Sequence, residues 1–300
     1  MTLDQLVESA GARCVVRAFG VERTPEESAL LLEPCLGGDL RDYINARYKH
    51  SGRARAGGLV TEAQARVLGF HLACGIAFCH GRGVAVRDIK PENVLIAADG
   101  SVRLSDFGLS AAGCCGATAG CRLVSGTTAY MAPEGLARIN EPEGEDSPAA
   151  EGDVGAEDPA DGPGPGEHGT AVDWWALGAT LFELMLGVPP MFEEGIDATE
   201  HARRIVEDKV EFPPWARDEE SAPDESSMLS SHAASLLLGL LAKDPRSRLG
   251  AGPEGAAAVL RHPFFGRGAG VRERLAGSVA VDFDADGARR WLPGLAGDDD

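Results

Sequence analysis

The 300-residue chain is 44% hydrophobic, enough for a sizeable core, and it carries a formal net charge of −19 at pH 7. That charge argues against nucleic acid and anionic membrane as general partners, and no charge-free apolar run is long enough to span a bilayer. The seven cysteines are an odd number and the N-terminus lacks a basic-then-apolar signal pattern, so we expect a reducing, cytoplasmic location.

The first 35 residues predict a helix followed by two short strands. Apolar residues recur at helical spacing from Leu3 to Ala10, and Gly11 is predicted to end this helix. Apolar runs at 14–19 and 29–32 predict the strands.

Two further helices are predicted before residue 80. Residues 39–50 suggest a short helix, and 51–58 a flexible basic insert. Thr61 precedes Glu62 and Gln64 in a capping-box pattern that starts a longer helix. The face of this helix predicted to be buried comprises Ala63, Val67, Phe70, Cys74, Ala77 and Phe78.

Two polar clusters in the middle of the chain bracket an alternating apolar run. They read Arg-Asp-Ile-Lys-Pro-Glu-Asn at 87–93 and Asp-Phe-Gly at 106–108, and Asp99-Gly100 between them suits a hairpin turn. A hairpin would gather two aspartates, an asparagine and a lysine around one small volume. Such a group binds divalent metal through hard oxygens and phosphate through the ammonium.

The second half combines one acidic insert with several helices. Ten acidic residues and no Lys or Arg lie between Glu141 and Glu167, and residues 140–169 predict a disordered insert. The apolar run that follows contains Asp173 and Glu183, so a buried core helix is predicted there. Helical patterns cover 171–186, 198–208, 231–242 and 254–260.

Five motifs stand in an order that resembles the catalytic core of eukaryotic protein kinases. They are Arg87-Asp88, Lys90 to Asn93, Asp106-Phe107-Gly108, Ala132-Pro133-Glu134 and Asp173 to Gly178. Lys-Pro-Glu-Asn is similar to the serine/threonine subtype. Asp-Trp-Trp-Ala-Leu-Gly and residues 243–250 resemble the AGC group, which includes the cyclic-nucleotide-dependent kinases. The resemblance implies an α+β, protein-kinase-like fold, mainly an α-helical large lobe with a truncated remnant of the small β lobe.

The resemblance divides the chain into three parts. Residues 1–35 match a small-lobe remnant, made of the end of the C helix, strands four and five, and the hinge. Residues 36–265 match the large lobe, with its catalytic loop, activation segment and acidic insert, and 266–300 form a C-terminal tail. The sequence holds no Gly-rich phosphate loop and no Val-Ala-Ile-Lys lysine. We therefore expect the chain as given to bind MgATP weakly and to transfer phosphate poorly.

The resemblance implies ATP and Mg²⁺ as cofactors and Ser/Thr of protein substrates as acceptors, and it leaves the oligomeric state open. Asp88 would orient the substrate hydroxyl, and Lys90 would neutralise charge on the transferring phosphoryl group. Asn93 and Asp106 would hold magnesium, and Arg87 would pair with a regulatory phosphate.

Further residues of the nucleotide site are assigned through the same resemblance. Glu33 to Cys35 would be the hinge that meets adenine, with Leu32 at the gatekeeper position. Asp39 and Leu95 would complete the nucleotide-binding set.

Structural roles also follow from the resemblance. Asp173 would accept backbone hydrogen bonds that brace the Arg87-Asp88 loop. Glu134 would pair with Arg248 inside the large lobe. Phe107, next to Gly108, would pack under the C helix.

Substrate choice is predicted from three acids. Asp39, Glu92 and Glu183 match positions where basophilic kinases hold substrate arginines through charge-assisted pairs. We therefore expect a preference for arginine before the phosphoacceptor.

Regulation is expected to depart from the family pattern. Leu123 stands where the usual activation-loop threonine would lie, and leucine cannot be phosphorylated. Ser125 or Thr127 would be the substitute, facing Arg87.

Two alternatives remain open. An inactive kinase-like scaffold, or a fragment from a truncated gene prediction, is favoured by the missing glycine loop and lysine. A small-molecule phosphotransferase of related fold is disfavoured by segment 126–134, which resembles a peptide-binding loop.

Overall fold

Two long helices, Glu62–His80 and Ala171–Leu186, lie side by side at the centre of the fold. The computed structural model describes residues 2–51, 58–112, 128–136, 169–217 and 228–268. Within these ranges the helices are α1 Leu3–Leu6, α2 Leu40–Ser51, α3 Glu62–His80, α4 Pro133–Leu136, α5 Ala171–Leu186, α6 Ala198–Glu207, α7 Ser231–Leu240 and α8 Ala256–Leu260.

The described strands are short and form three antiparallel pairs. These pairs are β1 Ala18–Arg23 with β2 Ser28–Leu32, β3 Val84–Ala85 with β6 Ala111–Ala112, and β4 Val94–Ile96 with β5 Val102–Leu104. Tighter or wider helical turns cover Val7–Gly11, Ala12–Cys14, Pro91–Asn93, Thr128–Tyr130, Pro214–Ala216 and Pro263–Phe265.

Helix α3 begins at the predicted cap. The Thr61 hydroxyl accepts from the Gln64 backbone N–H at 3.2 Å, and the Gln64 side chain accepts from the Thr61 N–H at 2.9 Å. Its predicted buried face was wrong in part, because Ala63 is exposed and Val67 only half-buried. The helix is enclosed on several sides, so Leu68 and Leu72 are also fully buried.

Helix α5 is buried almost throughout, as its apolar sequence predicts. Gly178 lies against α7, where an added Cβ would sit 2.8 Å from the Leu240 Cβ. A larger residue would push the two helices apart. The helix ends at Gly187, whose φ of 81° is the left-handed conformation usual after a helix.

The N-terminal helix does not end at Gly11 as predicted. Helical backbone continues through the π-helical turn Val7–Gly11 and the 3₁₀ turn Ala12–Cys14. An added Cβ on Gly11 would lie 2.5 Å from the Cys74 carbonyl oxygen of α3. The glycine is therefore required for close packing and not for a stop.

The first strand is also displaced from its predicted place at 14–19. Val16 donates its N–H to the Leu104 carbonyl at 2.9 Å, so this segment joins the end of β5. The hairpin partner of β2 starts only at Ala18. The apolar run was correctly read as extended, but its two ends pair with different strands.

The β1–β2 hairpin exposes a set of large apolar side chains. Phe19, Val21, Leu30 and Leu31 are between 51% and 60% exposed. Leu30 and Leu31 follow one another in β2 and so lie on opposite faces of the hairpin, and both faces are open to solvent.

Residues 140–168 of the predicted insert, and most of the tail, lie outside the described residues. None of the described helices has the length and apolar character that a membrane span requires.

Candidate active site

Asp88 is the centre of a compact hydrogen-bonded loop. Its carboxylate accepts from Lys90 Nζ at 2.8 and 3.0 Å and from Asn93 Nδ2 at 2.7 Å. Asn93 Nδ2 also donates to the Asp88 carbonyl at 2.8 Å. Pro91 starts the 3₁₀ turn Pro91–Asn93, which folds Asn93 back toward Asp88. The structure thus brings together three of the predicted site residues, with Asp88 and Asn93 buried.

The carboxylate of Asp173 holds the backbone of this loop in place. This fully buried carboxylate accepts from the Val86 N–H at 2.8 Å and the Arg87 N–H at 2.6 Å, which are backbone contacts of the kind that the family resemblance implies. His80 Nε2 lies 2.7 Å from the same carboxylate. Sequence reasoning missed His80 in this role, because its position at the end of α3 was the only signal.

The β4–β5 hairpin brings the second cluster next to the first. Ser105 donates its N–H and its hydroxyl to the Asn93 carbonyl, at 2.9 and 3.0 Å. Asp106 follows directly, and its Oδ1 accepts from the Gly108 N–H at 3.2 Å. The side chain of Asp106 is exposed, unlike that of Asn93. The predicted hairpin therefore puts both clusters at one end of a strand pair.

Arg87 and Asp106 have φ angles of 69° and 55°, which non-glycine residues rarely adopt. Each such residue costs on the order of 1–3 kcal/mol, and persists only where its surroundings hold it. Arg87 is held by Asp173, and Asp106 follows the Ser105–Asn93 contact. Two of the three described non-glycine residues with positive φ therefore lie in the clusters around Asp88, and the third is Met191.

The oxygens of Asn93 and Asp106 fit a magnesium ion. Mg²⁺ is usually held by one or two carboxylates together with substrate phosphates and water, and not by an all-protein cage. The described residues contain no cluster of three or more His, Cys, Asp or Glu side chains suited to a metal. Asn93 and Asp106 would therefore supply only part of the coordination of a metal that arrives with a nucleotide.

Segment 33–35, which the resemblance predicts to be the hinge, is held in place through Glu33. Its carboxylate accepts from the Arg17 N–H at 3.0 Å and pairs with Arg103 Nε at 3.1 Å. The Glu33 side chain is therefore bound by other residues of the protein. Cys35 is half-buried, and burial, aided by the Glu33 charge, raises the pKa of its thiol.

Asp39 lies beside Leu95, with which it forms an isolated antiparallel bridge. The bridge is supported by Gly37, which donates its N–H to the Ile96 carbonyl at 2.9 Å. The Asp39 carboxylate accepts from the Asp42 N–H at 2.8 Å at the start of α2. These contacts place Asp39 and Leu95 between the hinge and the Asp88 loop.

Arg248 and Glu134 form the predicted pair. Two parallel hydrogen bonds of 2.6 and 2.8 Å join them, and the guanidinium also donates to the Ala171 carbonyl at 2.9 Å. Phe107 is half-buried against the core, and Gly108 is exposed at the surface.

Glu92 and Glu183 are brought together, but around an arginine of the chain itself. Arg41 Nε donates to Glu92 at 2.9 Å, and Arg41 Nη1 donates to Glu183 at 2.8 Å. Tyr130 bridges the same group, accepting from Arg41 and donating to Glu183. Arg41 is 51 residues from Glu92 and 142 from Glu183, so no local pattern could have indicated the cluster.

Arg87 has two guanidinium nitrogens, Nε and Nη2, that are buried without a hydrogen-bond partner among the described residues. Burial lowers the pKa of Arg87, against the opposing charge of Asp173. The predicted regulatory residues Ser125 and Thr127, together with Leu123, lie outside the described residues.

A braced Asp-Lys-Asn loop beside an Asp-Phe-Gly strand end defines a kinase-type catalytic centre. The family model described as "Protein kinase domain" matches residues 5–150 and 164–265, and the chain belongs to this family. The predicted α+β fold with a mainly helical large lobe is confirmed, as is the resemblance to AGC-type serine/threonine kinases.

Three relatives illustrate the similarity. Human RAC-beta serine/threonine-protein kinase is 32% identical, and RAC-beta serine/threonine-protein kinase A of Xenopus laevis 33%, each over 244 residues. Human ribosomal protein S6 kinase alpha-4 is 37% identical over 245 residues. Each match covers 81% of this chain, but it spans 40%, 39% and 25%, respectively, of these relatives.

Proposed function

We propose that the protein transfers the γ-phosphoryl group of ATP to serine or threonine side chains of protein substrates, with Mg²⁺. The observation that supports this most is the Asp88 carboxylate, held by Lys90 and Asn93 at 2.7–3.0 Å. Phosphoryl transfer needs mainly an aligned hydroxyl and charge stabilisation, and little covalent chemistry from the protein.

In this proposal each residue has a limited role. Asp88 accepts a hydrogen bond from the substrate hydroxyl and takes its proton. Lys90, which donates to both Asp88 oxygens, offers its remaining N–H donor to the phosphoryl oxygens. Asn93 and Asp106 hold the magnesium ion, which neutralises phosphate charge when it is bound. Asp173 acts only through the backbone of the loop.

The adenine end of the site is the hinge. The Cys35 N–H would be the donor to the base, because the Glu33 N–H is donated to the Arg17 carbonyl at 2.9 Å and Pro34 has none. The carbonyls of 33–35 would be the acceptors, with Leu95 below the base and Asp39 at the sugar side. Free thiols of the described cysteines, Cys14, Cys35, Cys74 and Cys79, suit the reducing cytoplasmic location that we propose.

The decisive test is transfer from γ-labelled ATP to a serine/threonine peptide library, using the 300-residue chain. We expect slow transfer that falls by about 10²–10⁴-fold in Asp88→Asn, the range of a general base. Asp197→Asn is the matched control, because Asp197 caps α6 by accepting from the Glu200 N–H at 2.8 Å. Equal rates in the wild type and Asp88→Asn would refute the proposal.

The inactive scaffold is the second candidate, favoured by the large apolar side chains that the β1–β2 hairpin exposes on both of its faces. That hairpin leads into the hinge, so a nucleotide there would lie next to solvent. Under this alternative, peptide binding persists while transfer from ATP is absent even at high protein concentration.

A further inference from the structure

Arg41 occupies the two acids that were predicted to hold a substrate arginine. We propose that Glu92 and Glu183 form a guanidinium-binding site that Arg41 fills from within the chain. The protein therefore does not select substrates with arginine at this point. This inference rests on the proposed function. At the substrate position that would meet Glu92 and Glu183, it replaces the expected preference for arginine with a preference for a neutral or apolar side chain.

The cluster lies next to the reactive loop. Glu92 belongs to the turn Pro91–Asn93, four residues after Asp88. Tyr130 lies just before α4, in the middle of segment 126–134, which resembles a peptide-binding loop. The side chains of Arg41 and Glu92 are 22% and 38% exposed, so solvent reaches both members of this pair.

Electrostatic interactions keep Arg41 charged and bound between Glu92 and Glu183. Burial opposes its positive charge, but the hydrogen bond and charge of Glu183, with Tyr130 and Glu92, raise the pKa of Arg41. Burial and the Glu183 charge raise the pKa of Tyr130, so its phenol stays neutral and donates to Glu183. One arginine faces two acids, and it meets both through a planar fork that lysine cannot reproduce.

Arg41 has an advantage over a substrate arginine in binding Glu92 and Glu183. Arg41 is part of the same chain, so it competes at an effective concentration of about millimolar or more. A substrate arginine would have to displace it and leave the Arg41 guanidinium without its charge-assisted partners. An arginine in the substrate therefore gains little.

The first experiment removes Arg41 and supplies a small guanidinium. In Arg41→Met, millimolar methylguanidinium should raise the thermal midpoint, and equal methylammonium should not. Wild type should show no rise. The control is Arg204→Met, because Arg204 also bridges two acids, Glu193 at 2.7 Å and Glu200 at 2.9 Å, but on the surface of α6. No rescue is expected there, since exposed pairs contribute little.

The second experiment measures peptide binding by fluorescence anisotropy. Serine peptides carry one arginine at each of the five positions before the serine, each paired with a norleucine version. Wild type should bind both versions within about twofold, and Arg41→Met should prefer arginine at one position by about tenfold. Arg41→Lys, which keeps a charge beside Glu183, should fold if Arg41→Met does not, and should show a smaller preference.

Two results would overturn the inference. One is a tenfold arginine preference in wild type that is lost in Glu92→Gln. The other is an Arg41→Met variant that folds, yet neither responds to methylguanidinium nor prefers arginine. Neither readout needs ATP, so a protein that passes both tests but transfers no phosphate would refute the proposed function alone.

Discussion

Arg248 binds Glu134 through two parallel hydrogen bonds of 2.6 and 2.8 Å, although the two residues are 114 positions apart in the sequence. The arginine side chain is fully buried, while the glutamate is 18% exposed. Arg248 also donates to the carbonyls of Ala171 and Ala242, so it ties α4 to the start of α5 and the end of α7. Removing the arginine would leave a largely buried carboxylate without its counter-charge.

We predict that Arg248→Met lowers the free energy of unfolding by about 3–5 kcal/mol, the range for breaking one side of a buried pair. Urea unfolding at pH 7 measures this loss. The matched control is Arg261→Met, whose ion pair with Glu254 spans 3.7 Å between exposed side chains. The control should change stability by less than about 1 kcal/mol. Equal losses in the two variants would contradict the structural role of the pair.

We predict that the Asp173 carboxylate protects the backbone amides of Val86 and Arg87 from hydrogen exchange. Asp173→Asn replaces a charged acceptor of the Val86 and Arg87 N–H groups with a neutral one that has a single acceptor oxygen. Hydrogen exchange of these two amides should speed up by at least about tenfold, while the α6 amides stay unchanged. Asp197→Asn is the control: its side chain accepts a single N–H, that of Glu200, and asparagine caps helices about as well as aspartate, so exchange at Glu200 should stay unchanged. Unchanged exchange at Val86 and Arg87 would show that the loop is braced by other contacts.

Alkaline pH should weaken the fold through its buried thiols. Burial raises the pKa of Cys14 to about 12, and burial with the nearby Asp173 charge raises that of Cys79 to about 12. The unfolded thiols titrate near 9.0, so above that pH the unfolded chain loses protons that the folded chain keeps. Stability is therefore complete below pH 9 and falls as the pH rises toward 12.

The measurement is the urea midpoint from pH 8 to 10.5. The Cys14→Ala/Cys79→Ala double variant should show a shallower decline than the wild type, whatever its stability at pH 8. Parallel declines would exclude the thiols as the cause. Alkylation at pH 8 gives an independent check, because Cys35 is the most exposed of the four described cysteines and should react first.

Most of the site could be predicted from the sequence because its residues are close along the chain. Asp88, Lys90 and Asn93 lie within one turn, and a local Asp-Gly signal sets the hairpin that leads to Asp106. Predictions failed where distant contacts decide the outcome. Gly11 is fixed by its approach to α3, and no local signal reveals that approach.

The contacts of Arg41 show that prediction from local sequence has the same limit for function. Glu92 and Glu183 were identified as acids that bind arginine, which is chemically what they do here. Their partner comes from α2, and its position depends on how three separate segments pack. Local sequence could indicate the binding chemistry but not the identity of the occupant.

We expect the chain as given to bind MgATP only weakly. Phe19, Val21, Leu30 and Leu31 leave the hairpin next to the hinge open to solvent. Water raises the effective dielectric around bound phosphates and weakens each electrostatic contact. We therefore expect 5 mM MgATP to raise the thermal midpoint by less than about 2 °C. A site filled at a hundred times its dissociation constant would stabilise the fold by about 2.7 kcal/mol, which for a domain of this size is roughly 5–10 °C. A rise of that size, abolished in Asp106→Asn and kept in Asp197→Asn, would mean that the large-lobe residues and hinge bind MgATP tightly without a covering loop.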